Sequence, residues 1–100
     1  MNKNNVGIIG RATAEQYTDA ISKFTDPEDL ILYIPKESYS DEFNKMIKLL
    51  NIPFKLLGNI GKEEELITII CFTNYININE VILLEEAIKA NVTAIFINPK

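Results

Sequence analysis

Short continuous apolar runs alternate with stretches of helical apolar spacing along the chain, and this alternation limits the fold more than any other feature. The apolar runs fall at residues 6–9, 30–34, 54–57, 66–72 and 92–97. Continuous runs of this length are typical of parallel strands that are buried on both faces. Strands that alternate with helices predict a parallel sheet with helices on both faces.

The stretches between these runs carry apolar residues at i, i+3, i+4 and i+7, the spacing of one buried helix face. Three such stripes are expected to face the core: Tyr17, Ala20, Ile21 and Phe24, then Phe43, Met46, Ile47 and Leu50, then Val81, Leu84, Ala87 and Ile88. Thr13 and Gln16 match a capping box at the first helix start. Ser38 or Ser40 can cap the second helix, and Asn77 or Asn79 can cap the third. Asn91 suits the position just after its end.

The sequence therefore predicts one domain, residues 1–100, with a small Rossmann-like three-layer α/β fold and a five-stranded, mostly parallel sheet. Two strand orders fit, 3-2-1-4-5 and 2-1-3-4-5. Lys55 in the third strand favours an edge position for that strand. Residues 58–65 are too few for a full crossover helix and are expected to form a loop with at most one helical turn.

Composition excludes several classes of function. The chain has one cysteine, Cys71, and no histidine. This excludes an internal disulfide, a Cys-rich zinc site and a Ser-His or Cys-His nucleophile pair. We predict no catalytic residue, no metal and no cofactor. Cys71 is expected in the core, and Glu80, Glu85 and Glu86 are expected to be solvated surface charges.

Charge and hydropathy limit the partners. The net charge is −4 and the Lys and Arg residues are scattered, which argues against duplex nucleic acid. The sequence contains neither a membrane-length apolar run nor a signal-peptide pattern, so no membrane association and a reduced, cytoplasmic setting are expected.

Polar residues follow the first, second and fourth strands, at the edge where open α/β sheets bind ligands. Gly10 and Arg11 can hold an anion at a helix start, with backbone N–H groups and a guanidinium fork. Tyr39 can stack on a base. The full predicted ligand-binding set is Gly10, Arg11, Ser38, Tyr39, Ser40, Asn77 and Asn79.

Three stretches resemble the SLOG group of Rossmann-like domains, which includes phosphoribohydrolases and sensors of nucleotide derivatives. They are Ile-Ile-Gly-Arg at 8–11, the segment 32–54 with its Asn-Ile-Pro-Phe ending, and the strand to residue 72 with the helix start and Leu-Glu-Glu-Ala that follow. The resemblance favours the order 3-2-1-4-5 and implies nucleotide binding. Where the family has a Gly-Gly loop and a Gly-Thr turn, this chain has Pro35-Lys36-Glu37-Ser38 and Asn79-Glu80.

We therefore expect non-catalytic binding of a small nucleotide-type ligand, whether for sensing, carriage or sequestration. The first alternative is a protein–protein interaction or homo-oligomerisation module, because the short crossover would leave one sheet face thinly covered. The second alternative, implied by the resemblance, is an N-glycosidic hydrolase.

Overall fold

The computed structural model describes residues 4–26, 30–57, 66, 68–74 and 76–98. The elements in chain order are β1 (Asn4–Ile9), α1 (Ala14–Phe24), β2 (Leu30–Pro35), a single 3-10 turn (Lys36–Ser38), α2 (Asp41–Leu50), β3 (Phe54–Leu57), β4 (Thr68–Phe72), α3 (Ile78–Lys89) and β5 (Thr93–Ile97). The predicted strands and helices are all present, with bounds that differ by one or two residues. The crossover expected at residues 58–65 lies outside the described residues.

The five strands form one sheet in the order β3-β2-β1-β4-β5, and each neighbouring pair is parallel. The predicted order 3-2-1-4-5 is confirmed, and the described sheet is wholly parallel. Consecutive right-handed crossovers that move in one direction across a sheet place their helices on the same face. This accounts for the contact between α1 and α2.

Helices cover the sheet unequally. On one face, α1 and α2 pack over a core centred on β1 and β2 that includes Tyr17, Phe43 and Phe72. On the other face, α3 packs over a smaller core in which Ile9, Ile69 and Cys71 contact Leu83 and Ala87. The buried side chains of β1 and β4 alternate between the two cores, as the pleat requires. The carboxyl ends of β1, β2 and β4 therefore lead into helix starts on both faces.

The predicted stripes of α1 and α2 are buried except at their ends, where Phe24 is 39% exposed and Leu50 is partly buried. The predicted stripe of α3 was half correct. Ala87 is buried and Leu84 packs against the smaller core, whereas Val81 and Ile88 are exposed and the helix also buries Glu80 and Leu83. Apolar residues occur around most of the circumference of α3, so their spacing did not fully define the buried face. The charged Glu80 lies on that face, although it was expected at the surface.

The helix ends follow the expected chemistry. Thr13 and Gln16 form a reciprocal capping box, and Asn51 and Asn91 adopt left-handed conformations where α2 and α3 end, with φ of 53° and 64°. Amide side chains tolerate this region better than most residues. Within the described ranges, no helix has the length and apolar character needed to cross a bilayer.

Candidate functional site

The predicted ligand-binding residues all lie at the carboxyl edge of the sheet, around the helix starts. Gly10 and Arg11 follow β1, whereas Ser38, Tyr39 and Ser40 lie between β2 and α2. Asn77 immediately precedes α3 and Asn79 is in its first turn. In the order β3-β2-β1-β4-β5, the direction of chain progression reverses between β1 and β4, so this edge contains the switch point where such sheets bind ligands.

Gly10 makes the tight turn between β1 and α1. Its φ is +89°, and a Cβ atom at this position would lie 2.0 Å from the carbonyl oxygen of Phe72. The turn is fixed from both sides, because the buried Tyr17 hydroxyl donates to the Gly10 carbonyl oxygen at 3.0 Å. Burial raises the pKa of Tyr17, so this donor stays protonated. Only glycine fits this conformation and this close approach.

Glu80 occupies the centre of the edge, contrary to the expectation that it would be a surface charge. It is 2% exposed, and its Oε2 atom accepts a hydrogen bond from the Gly10 N–H at 2.9 Å. The fully buried Ser38 hydroxyl donates to the same oxygen and also accepts from the Gly10 N–H at 3.3 Å. Oε1 accepts from the Asn77 N–H at 3.2 Å. One carboxylate thus joins segments that follow β1, β2 and β4.

Glu80 also belongs to the cap of its own helix. The Asn77 side chain accepts from the Glu80 N–H at 3.0 Å, which completes a reciprocal capping box at the start of α3. The acid at the third position of such a box normally points back along its own helix end. Here it reaches the β1 turn as well, and this second role explains its burial.

Two of the predicted residues act as helix caps. Asn77 caps α3, and Ser40 caps α2 by accepting from the Phe43 N–H at 3.2 Å. A further carboxylate, Glu42 of α2, accepts from the Ala14 N–H at 2.7 Å and so satisfies a donor of the neighbouring helix. This hydrogen bond, followed by the contact with Lys45, lowers the pKa of Glu42. Side chains of the protein therefore already occupy donors at the start of α1.

The solvent-facing rim of the edge remains polar. Arg11 is exposed and its Nη2 atom donates to the Glu37 carbonyl oxygen at 3.3 Å. Asn79, also exposed, donates from Nδ2 to the Glu37 carboxylate at 3.5 Å. Tyr39 is 38% exposed, with its ring stacked on Phe54 at a centroid distance of 6.1 Å. Glu37 thus connects two predicted site residues.

Sequence reasoning missed the roles of Glu37 and Glu80. A topological signal for Glu37 existed, because an acid just after the second strand is the usual ribose ligand of a Rossmann-like sheet. For Glu80 the signal was its spacing from Asn77, which is typical of a capping box. That spacing places the Glu80 side chain at the start of α3 but does not reveal its contact with Gly10.

The chemistry available to the buried groups is limited. Ser38 and Glu80 are both shielded from solvent, so neither is placed to attack a substrate. Burial, with a contribution from Glu80, raises the pKa of the Cys71 thiol to about 11. Across the described ranges, the acidic and thiol side chains form no group of three or more that could hold a metal ion.

Comparison with known proteins finds no matching family model, no matching curated protein and no matching solved structure. The function of the chain is therefore inferred from the geometry of the carboxyl edge.

Proposed function

We propose that this chain binds a small nucleotide-type ligand on the outer rim of the carboxyl edge, without catalysing a reaction on it. The observation that carries the proposal is the exposed group formed by Arg11, Glu37 and Asn79 beside the strand-order switch point. Ligands of open α/β sheets bind outside the carboxyl ends of the strands at this point. We propose in addition that the chain is related to the SLOG group, which it resembles, and that it functions in the cytoplasm.

Each rim residue suits a different part of such a ligand. The Glu37 carboxylate follows β2, where an acid can accept hydrogen bonds from ribose hydroxyls. Arg11 can pair with a phosphate through its planar fork of donors. The exposed part of Tyr39 offers a surface for a base, and Asn79 offers both a donor and an acceptor.

The internal carboxylate determines where the phosphate can bind. In many Rossmann-like sheets the glycine turn after the first strand receives the phosphate. Here the Gly10 N–H donates to Glu80, and a phosphate at the same place would face a buried negative charge. The ligand phosphate is therefore expected outside the turn, at Arg11, and the nucleoside part should supply much of the affinity.

Thermal melting with a panel of nucleosides, mononucleotides and ADP-ribose derivatives tests this proposal. A ligand at 100 times its dissociation constant adds about 2.7 kcal/mol of stability, which raises the melting temperature by on the order of 10 °C in a domain of this size. Arg11→Ala should reduce the shift for phosphorylated ligands only, whereas Glu37→Gln should reduce it for nucleosides as well. Glu15→Gln, an exposed acid of α1, is the matched control. A panel that produces no shift would refute the proposal.

A second candidate function is assembly, and exposed apolar side chains favour it. Large hydrophobic residues lie at the surface of α3 and β5: Ile78 is 69% exposed, Ile82 45%, Ile88 50% and Phe96 57%. Apolar surface of this kind marks interaction sites when it is contiguous. A hydrolytic role remains a prediction from the resemblance alone. The Glu80 carboxylate at the centre of the edge is buried, and this does not favour hydrolysis.

A further inference from the structure

The two outer strands of the sheet differ in how they are protected. The outer strands are β3 and β5. β3 contains Lys55 and is preceded by Pro53, both of which discourage pairing with another chain. β5 has the sequence Thr-Ala-Ile-Phe-Ile, and the surrounding stretch 90–98 contains neither a charged residue nor a proline. Lys89 and Pro99 flank this stretch in the sequence, so among the described residues it is the strand itself that lacks a protecting charge such as Lys55 of β3.

The backbone geometry shows which groups of β5 face outward. The carbonyl oxygen of Ile97 accepts from the Thr73 N–H, so the polar groups of Ile97 point toward the β4 side. Because N–H and C=O directions alternate along a strand, those of Ala94 and Phe96 point to the open edge. These two residues can each exchange a donor and an acceptor with an added strand.

Apolar surface flanks this edge on both faces of the sheet. On the α1 face, an open depression of about 370 Å³ is lined by Phe24, Phe72 and Ile97 together with residues of α1 that include the charged Asp19 and Lys23. On the α3 face, Phe96 lies in register with Cys71 and is 57% exposed. A strand added beside β5 would therefore gain apolar contacts above and below it.

We propose that the edge of β5 pairs antiparallel with the β5 edge of a second copy of this chain, about a two-fold axis at Ile95. This register places Ala94 opposite Phe96 of the second copy, so the outward backbone groups form a hydrogen-bonded pair on each side of the axis. The largest exposed side chain of the strand then lies opposite the smallest. Ile95 faces its own equivalent as a non-hydrogen-bonded pair, the closer of the two antiparallel arrangements.

The uncharged sequence of β5 allows a second copy of the same strand to pair with it without placing like charges opposite each other. The chain carries a net charge of −4, which opposes self-association in general, yet the strand that would form the contact is uncharged. A two-fold axis makes the contact closed and self-complementary, so it yields a dimer and not a filament. The proposal is independent of ligand binding, because β5 follows α3 and contributes no residue to the rim.

Sedimentation equilibrium from micromolar to millimolar concentration tests the dimer. We expect the mass to rise from 11.4 kDa toward twice that value. Phe96→Lys should weaken the dimer at least about tenfold, since it buries a charge at the contact. Leu49→Lys on α2, which changes a side chain that is 75% exposed, is the matched control and should leave the dimer intact. Circular dichroism confirms that each variant is folded.

Cross-linking tests the register separately. Cysteines at a non-hydrogen-bonded antiparallel pair have Cα atoms about 4.5 Å apart, within disulfide reach. Ile95→Cys should therefore form a covalent dimer under mild oxidation, and Phe96→Cys should not. A monomer at all concentrations, a dimer that only a control variant abolishes, or a preferential cross-link at position 96 would each overturn the proposal. Phe96→Lys should keep the ligand-induced melting shifts of the unaltered protein. Failure of the dimer proposal can therefore be distinguished from failure of the ligand-binding proposal.

Discussion

The Gly10 N–H donates to the Glu80 carboxylate at 2.9 Å across a sequence separation of 70 residues. This bond joins the turn after β1 to the first turn of α3, and Ser38 adds the segment after β2. The bond places a negative charge where many related sheets hold a phosphate. The carboxyl edge of this protein is therefore organised around an internal carboxylate, and the part of the edge that is exposed to solvent is the rim.

Gly10→Ala should destabilise the protein strongly. The new Cβ would lie 2.0 Å from the Phe72 carbonyl oxygen, in a backbone conformation that alanine rarely adopts. We expect a loss of about 2 kcal/mol or more, measured by urea unfolding. Gly7→Ala is the control, since its Cβ would contact the side chains of Leu66 and Ile69 at 3.2 and 3.3 Å, where flexible groups can adjust. Equal losses for the two variants would contradict this account of the turn.

Glu80→Ala should cost about 2–4 kcal/mol of unfolding free energy, because it removes the acceptor of the buried Ser38 hydroxyl and of the Asn77 N–H and leaves the buried Gly10 N–H with only its longer bond to Ser38. Glu80→Gln keeps the size and one acceptor oxygen, so its loss should be smaller. Glu86→Ala, an exposed acid of the same helix, should change stability by less than about 0.5 kcal/mol. An alanine variant at position 80 as stable as the control would show that the buried network contributes little.

Acid should weaken the contact between α2 and α1. The pKa of Glu42 is lowered from 4.5 in the folded state, chiefly by the Ala14 N–H, so the folded protein favours the charged form. The associated stability is present above pH 4.5 and is lost as the pH falls through the lowered folded pKa. Melting temperatures between pH 6 and pH 3 should fall less steeply in Glu42→Gln. Identical slopes would mean that Glu42 does not contribute to acid sensitivity.

Cys71 should resist modification while the protein is folded. Its thiol is fully buried and its pKa is about 11, so almost no accessible thiolate exists near neutral pH. Iodoacetamide at pH 8 should label the cysteine in urea and leave the native protein unlabelled over the same period. The raised pKa means that the folded state favours the neutral thiol. Its contribution to the free energy of unfolding is therefore lost only above the pKa of cysteine in the unfolded chain, about 8.5. Rapid native labelling would contradict the burial.

Local sequence patterns predicted the elements, because continuous apolar runs and capping residues reflect their immediate surroundings. They left two strand orders open, and the resemblance to the SLOG group, with the edge position indicated by Lys55, favoured the order that the structure has. The patterns predicted only part of the buried face of α3, because apolar residues occur around most of that helix and one of its buried side chains, Glu80, is charged. The environment of Glu80 depends on Gly10 and Ser38, which are distant in sequence, and no spacing rule encodes such a contact. The predicted site residues lie at the carboxyl edge, and whether they bind a ligand stays a prediction. The structural roles of Gly10, Ser38, Ser40 and Asn77 are seen only once the segments are brought together.

An NMR titration of backbone amides with adenosine and with AMP tests the central claim most directly. We predict that both ligands shift the amides of the rim, at residues 36–41 and 77–80, and that AMP shifts Arg11 more than adenosine does. The Gly10 amide should keep its hydrogen-bonded chemical shift, because Glu80 stays in place. Absence of shifts at millimolar ligand, or shifts confined to β5 and to the part of α3 after residue 80, would contradict a ligand site at the carboxyl edge.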